Sequence, residues 1–173
     1  MASENGNKKL KQQIQSLRSS NRTAILTTLD ELRSEGDVSV LPELFSLMLV
    51  QEDQEVLDKI ASLLNDLKDN DAADILTEAI SNPEYEKIRT SLVAACWQNG
   101  LSYGKHINTF VDVVVSGDYI AAIEAFTVIE EAVGELEPEE RQALVRSLKT
   151  KLKQVDEQKK ALFVELVKVI DTY

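Results

Sequence analysis

The chain has 173 residues, 43% of them hydrophobic and 28% charged, with a formal net charge of −11. That length holds one buried core or one short repeat array, and the excess of acid argues against extended contact with a phosphate backbone. The single cysteine, Cys96, excludes an internal disulfide and a cysteine-rich metal site.

Aromatic residues are scarce at 5%, and a filler of Leu, Ile, Val and Ala favours helices over strands. Residues 1–7 read as a mobile tail ahead of a single helical domain over 8–173. Apolar residues then recur at helical spacing over 8–18, 21–34, 38–51, 54–68, 71–81, 83–99, 102–116, 118–134, 138–153 and 156–171. Gly36, Gly100 and Gly117 fall between these segments, Gly104 lies near the start of 102–116 and Gly134 ends 118–134, in keeping with the left-handed glycines that end helices. Asn82 before Pro83, with acids following, predicts a cap, a proline at the first helical position and negative charge in the first turn. Pro138 between Glu137 and Glu139 repeats that style. No Asn-Gly or Asp-Gly pair separates alternating apolar runs, so hairpins of strands have no support. Runs such as Thr109 to Val115 are too short to span a bilayer. The opening MASENGNKKLKQQ lacks the apolar stretch of a secretory signal, so the chain reads as cytoplasmic.

Charge is unevenly spread. Residues 1–22 hold five Lys/Arg and one acid, residues 23–140 hold six and 25, and residues 141–173 hold eight and four. The body is therefore −19 between two ends of +4. Contacts between ends and bodies of different molecules would be weak and screened at physiological salt. A monomer, or a weak dimer that salt disperses, is expected.

The breaks recur. Ser20-Asn21, Glu52-Asp53, Asn82-Pro83, Gly117-Asp118 and Val155-Asp156 place their second members 32, 30, 35 and 38 residues apart, with two helices in each interval. The segment after the break repeats too. VLDKIASLL (Val56 to Leu64) lies over IRTSLVAAC (Ile88 to Cys96), apolar at the first, fifth and eighth positions, and Ala122, Phe126 and Ile129 fit the same template. One helical hairpin cannot bury an apolar stripe on both sides of itself, whereas a stack of hairpins can.

The leading helix LPELFSLM, the tight turn with Asp53 and the helix VLDKIASLL resemble a HEAT repeat, as does NPEYEKIRTSLVAACWQNGL. Pro42 stands where many first helices carry a proline, and Ile88-Arg89 matches the Val-Arg that often opens the second helix. Leu57 and Ala121 or Ile123 depart from the pattern where that arginine would stand. The resemblance covers 38–101 best, extends to 134, and is shared with armadillo and other α-solenoids. It implies an all-α, short right-handed α-solenoid of stacked antiparallel helix hairpins whose second helices line a concave face. It also implies protein binding without catalysis.

Candidate chemistry is sparse. Asp66 to Asp74 clusters carboxylates but lacks the glycine bend and terminal Glu of a calcium loop. It reads as a helix end followed by Asp71 capping the next helix. His106, the only histidine, has no triad beside it in sequence, and Cys96 shares an apolar stripe with Leu92 and Ala95. No glycine-rich phosphate loop occurs, so no cofactor or metal is implied. The second helices, placed at about 100° per residue, turn outward a ridge of Asp58, Ser62, Asn65; Thr90, Ala94, Trp97; Glu124, Val128, Glu131. Trp97 is either partly buried between repeats or an anchor for a partner. The expectation is a non-catalytic interaction or scaffold module. It takes a basic or amphipathic protein segment on Asp58, Asn65, Trp97, Glu124 and Glu131, with no nucleic acid or membrane as partner. An enzyme or small-ligand binder on the same scaffold is the alternative.

Overall fold

Asp53 shows how the chain turns between helices. Its Oδ1 accepts hydrogen bonds from the backbone N–H of Glu55 (3.0 Å) and Val56 (3.3 Å), which the new helix leaves unpaired. Asn82 does the same for Glu84 (3.0 Å) ahead of Pro83, and Asp118 for Ala121 (2.8 Å). At Glu137 the backbone N–H donates back to Glu140 (2.9 Å), half of a capping box. The breaks at Asp53, Asn82 and Asp118 are thus local hydrogen-bonded stops and starts, whereas Asp156 makes no side-chain cap. One cap differs from expectation. Asp71 is the first residue of its helix rather than the cap; Asn70 holds the cap position without a side-chain bond, and Asp69 accepts from the N–H of Asp71 (3.0 Å).

The computed structural model describes residues 2–35 and 37–173. It contains ten α-helices and, among the described residues, no strand. They are α1 (Ala2–Leu17), α2 (Arg22–Glu35), α3 (Leu41–Val50), α4 (Gln54–Asn65), α5 (Asp71–Ser81), α6 (Arg89–Asn99), α7 (Ile107–Ser116), α8 (Tyr119–Ala132), α9 (Pro138–Lys151) and α10 (Lys160–Thr172). Short 3₁₀ turns lead into α3, α6, α7 and α10 and follow α8 and α9. The first helix starts at Ala2, ahead of the segment expected from residue 8. The break expected at Gly36 lies outside the described residues, as does Met1 of the expected tail. Gly100 ends α6 at φ 66°, the left-handed C-cap that glycine adopts without strain.

The helices contact one another in a regular order. α2, α4, α6, α8 and α10 touch in that sequence, as do α1, α3, α5 and α7. Helices joined by a short link also pack together, most extensively α7 with α8. One core runs through these contacts. Leu44, Val56, Ile60, Leu76, Leu92, Val93, Phe110, Ala122, Ile129 and Phe163 are all sealed from solvent. Leu63 and Leu92, the middles of the α4 and α6 stripes, are both buried.

Polar links cross from one helix pair to the next around this core. Arg18 reaches Glu43 through two bonds of 2.8 and 2.7 Å, and Arg22 reaches Asp53 (2.6 Å) and Glu55. Farther along, Lys105 pairs with Asp74 (2.8 Å) and Lys151 with Asp112. Asn99 Nδ2 donates to the Leu64 carbonyl (3.4 Å). Lys159 is 3% exposed, and its ammonium donates to the carbonyls of Val115 (2.7 Å) and Gly117 (2.6 Å), terminal acceptors of α7.

Candidate functional site

The helical register of α4, α6 and α8 decides which side chains meet across neighbouring helices. Asn65 ends α4 half-buried and donates from Nδ2 to Gln98 Oε1 of α6 (2.7 Å). Next to Gln98, Trp97 is 37% exposed, and its indole Nε1 donates to Glu124 Oε2 of α8 (2.6 Å). Two separate hydrogen bonds, Asn65 to Gln98 and Trp97 to Glu124, thus form a row across three helices. Asp58 is exposed two turns before Asn65 and accepts from Gln54 Nε2 (2.7 Å). Glu131 is exposed two turns beyond Glu124. These two acids flank the row and are not bonded to it. The two readings of Trp97 merge: the ring is partly covered, its N–H is satisfied, and an edge remains in solvent.

The expected outward ridge is wrong at one member. Val128 is 1% exposed and belongs to the core. The exposed face of α8 is instead Tyr119, Ile120 and Ile123, at 40%, 56% and 37% exposure. Val164 on the neighbouring α10 is also exposed. These apolar residues were missed because, Glu124 apart, the segment YIAAIEAF is apolar on every side. A helix that is hydrophobic all round is normally buried, and that all-round apolarity is the signal that could have marked it.

The remaining candidates have structural work. His106 Nε2 lies 2.7 Å from Asp74 Oδ1, and its Nδ1 lies 3.3 Å from Thr77 Oγ1. This resembles an acid–imidazole–hydroxyl chain. The hydroxyl, however, is 4% exposed and already donates to the Ala73 carbonyl (2.7 Å), so it has neither a free proton nor access to a substrate. The arrangement ties α5 to the turn before α7. Asp74, hydrogen-bonded first by Lys105 and then by His106, is held below the usual carboxylate range. Cys96 is sealed, and its thiol donates to the Leu92 carbonyl (3.3 Å). Burial pushes that thiol up to about 12, which leaves almost no thiolate at neutral pH. Among the described residues no three His, Cys, Asp or Glu side chains converge as metal ligands. No described helix is long and apolar enough to cross a membrane. No family model matches the chain, and no curated protein matches it in sequence.

Proposed function

We propose that the chain is a short right-handed α-solenoid of stacked antiparallel helix hairpins, HEAT-like in build. It serves without catalysis as an interaction or scaffold module. Support for the stack comes from the ordered contacts among α2, α4, α6, α8 and α10 and from the recurrence of capped breaks. The carrying observation for binding is the mixed face of α6 and α8. Trp97 bonds to Glu124 of α8, the helix that also carries exposed Ile120 and Ile123 and the acid Glu131, and Asp58 is exposed on α4. The natural occupant is a basic amphipathic helix of another protein. Its apolar stripe covers the isoleucines and the indole edge, and its cations meet the acids.

Trp97 is the only tryptophan, so its emission reports this face directly. A 16-residue helical peptide of leucine and lysine, titrated into the chain, should shift that emission to the blue. Affinity should fall as salt rises. Ile120→Ser with Ile123→Ser, which removes the apolar contact without adding charge, should weaken binding by about 2 kcal/mol or more. Glu131→Lys should mainly slow association. Unchanged emission at saturating peptide, or equal affinity for the Ile120/Ile123 variant, refutes the assignment.

A further inference from the structure

Most cations of this protein are engaged within the fold. From Arg18 to Lys105 each Lys and Arg either pairs with a carboxylate or donates to a backbone carbonyl. Lys151, Lys159, Lys160 and Lys168 are engaged too. From Arg18 onward, among the described residues, the cations left without a hydrogen bond or ion pair are Arg141, Arg146, Lys149 and Lys153. All of them lie on α9 or on the 3₁₀ turn, Leu152–Gln154, that continues it.

The register of α9 gathers these cations. At about 100° per residue, Arg146, Lys149 and Lys153 fall on one face, opposite the buried stripe of Leu144, Val145 and Leu148. These cations are exposed, whereas Arg141 is half-buried and off that face. Their nearest neighbours on the face, Gln142, Ala143 and Thr150, are neutral. Glu139 is the acid of the same face and lies two turns before Arg146. The acids next to the ridge are already taken: Asp112 by Lys151, Asp156 by Lys159 and Glu157 by Lys160. Like charges three and four positions apart destabilise a helix. The negative end of α9 accounts for Lys149, which stands in its last turn, but Arg146 lies before that turn. The ridge therefore calls for an external anion, and its size bounds the choice. From Arg146 to Lys153 it runs about 10 Å at the helical rise per residue. That span matches two turns of a second helix. An extended phosphate backbone or an anionic bilayer would also face the −19 of residues 23–140 and be repelled.

We propose that the exposed face of α9 binds a short acidic helix of another protein. Carboxylates spaced three and four residues apart on that helix meet Arg146, Lys149 and Lys153. This surface lies on a different helix from the Trp97 face, takes a partner of opposite charge and stands independently of that reading.

The experiment uses the full chain labelled with ¹⁵N and follows the backbone amides of α9. The probe is a blocked alanine-rich helical peptide with glutamates in one row, spaced three and four residues apart, titrated at low salt. A peptide of the same composition with its glutamates spread around the helix, a short DNA duplex and phosphatidylserine vesicles are parallel arms. The in-row peptide should shift the α9 amides saturably, and added salt should weaken it. The spread peptide should bind at least threefold more weakly, and the duplex and vesicles should leave these amides unmoved. Arg146→Glu with Lys149→Glu should abolish the shift. The neutral pair Arg146→Gln with Lys149→Gln should weaken binding at least fivefold with the helical dichroism unchanged. No saturable shift with the in-row peptide, or full affinity in the neutral variant, overturns the proposal. Equal affinity for the two peptides reduces the ridge to unspecific charge attraction and overturns it as well. A stronger response to the duplex or the vesicles overturns the protein reading in favour of a phosphate surface.

Discussion

Leu92→Ala tests the packing logic most directly. Leu92 is fully buried in α6, which contacts both α4 and α8. The substitution removes three carbon groups, worth about 0.8 kcal/mol each in transfer alone, or about 2.4 kcal/mol together. The cavity adds to this, because neighbours held from both sides collapse only partly. The expected loss is about 3–4 kcal/mol, inside the roughly 2–5 kcal/mol range for such changes. For a domain of this size that corresponds to a fall in Tm of roughly 10 °C. Urea unfolding should be followed by far-ultraviolet circular dichroism, which reports all helices, and by Trp97 emission, which reports α6. If helix pairs open in part independently, the tryptophan transition should move to lower urea than the dichroism transition in the variant. Val50→Ala, on a side chain 77% exposed, is the control and should change stability by less than about 0.5 kcal/mol. An unchanged midpoint for Leu92→Ala would refute the assigned phase of α6.

Gly117→Ala should destabilise the α7–α8 link, since a Cβ there would lie 2.6 Å from the Val113 carbonyl oxygen; thermal unfolding measures it, and an equal Tm would show that the turn relaxes freely. Lys159→Met should cost about 1.5–3 kcal/mol by leaving the Val115 and Gly117 carbonyls without their charged donor, read as a lower urea midpoint. Asp53, held low chiefly by its hydrogen bond from Arg22, and Asp74, held low chiefly by Lys105, contribute stability above the usual carboxylate range of about 4. That contribution disappears as pH falls below about 4 through the folded values. The unfolding midpoint should therefore drop with acid, and less steeply in Asp53→Asn with Asp74→Asn; an identical slope would show that these pairs are inert.

Legibility in the sequence followed the range of the forces. Caps act within a few residues, so Asp53, Asn82 and Asp118 announced their helices, and an apolar stripe on one side of α4 or α6 fixed its phase. Among the acids from Asp66 to Asp74 local rules did not choose, because several carboxylates compete at one helix start, and Asp69 rather than Asp71 accepts the N–H bond there. In α8 the stripe failed because Ala121, Ala122, Ala125, Val128 and Ile129 face inward while Ile120 and Ile123 face out; hydropathy has no contrast there. The bonds from Trp97 to Glu124 and from Asn65 to Gln98 join residues 27 and 33 positions apart, beyond any local pattern.

The side-chain bonds that cross between helix pairs carry a kinetic consequence. Lys159 to Val115, at 44 positions, spans the greatest chain distance of the side-chain hydrogen bonds among the described residues. Loop-closure cost rises with the length of chain that must be ordered before a contact forms, so each contact here is available soon after its own neighbourhood has formed. Folding can begin at the best-packed pair, α7 with α8, and spread outward in either direction. Refolding should be fast for a chain of this length, and amide exchange should be slowest in the buried turns of α6 to α8 and progressively faster toward α1 and α10.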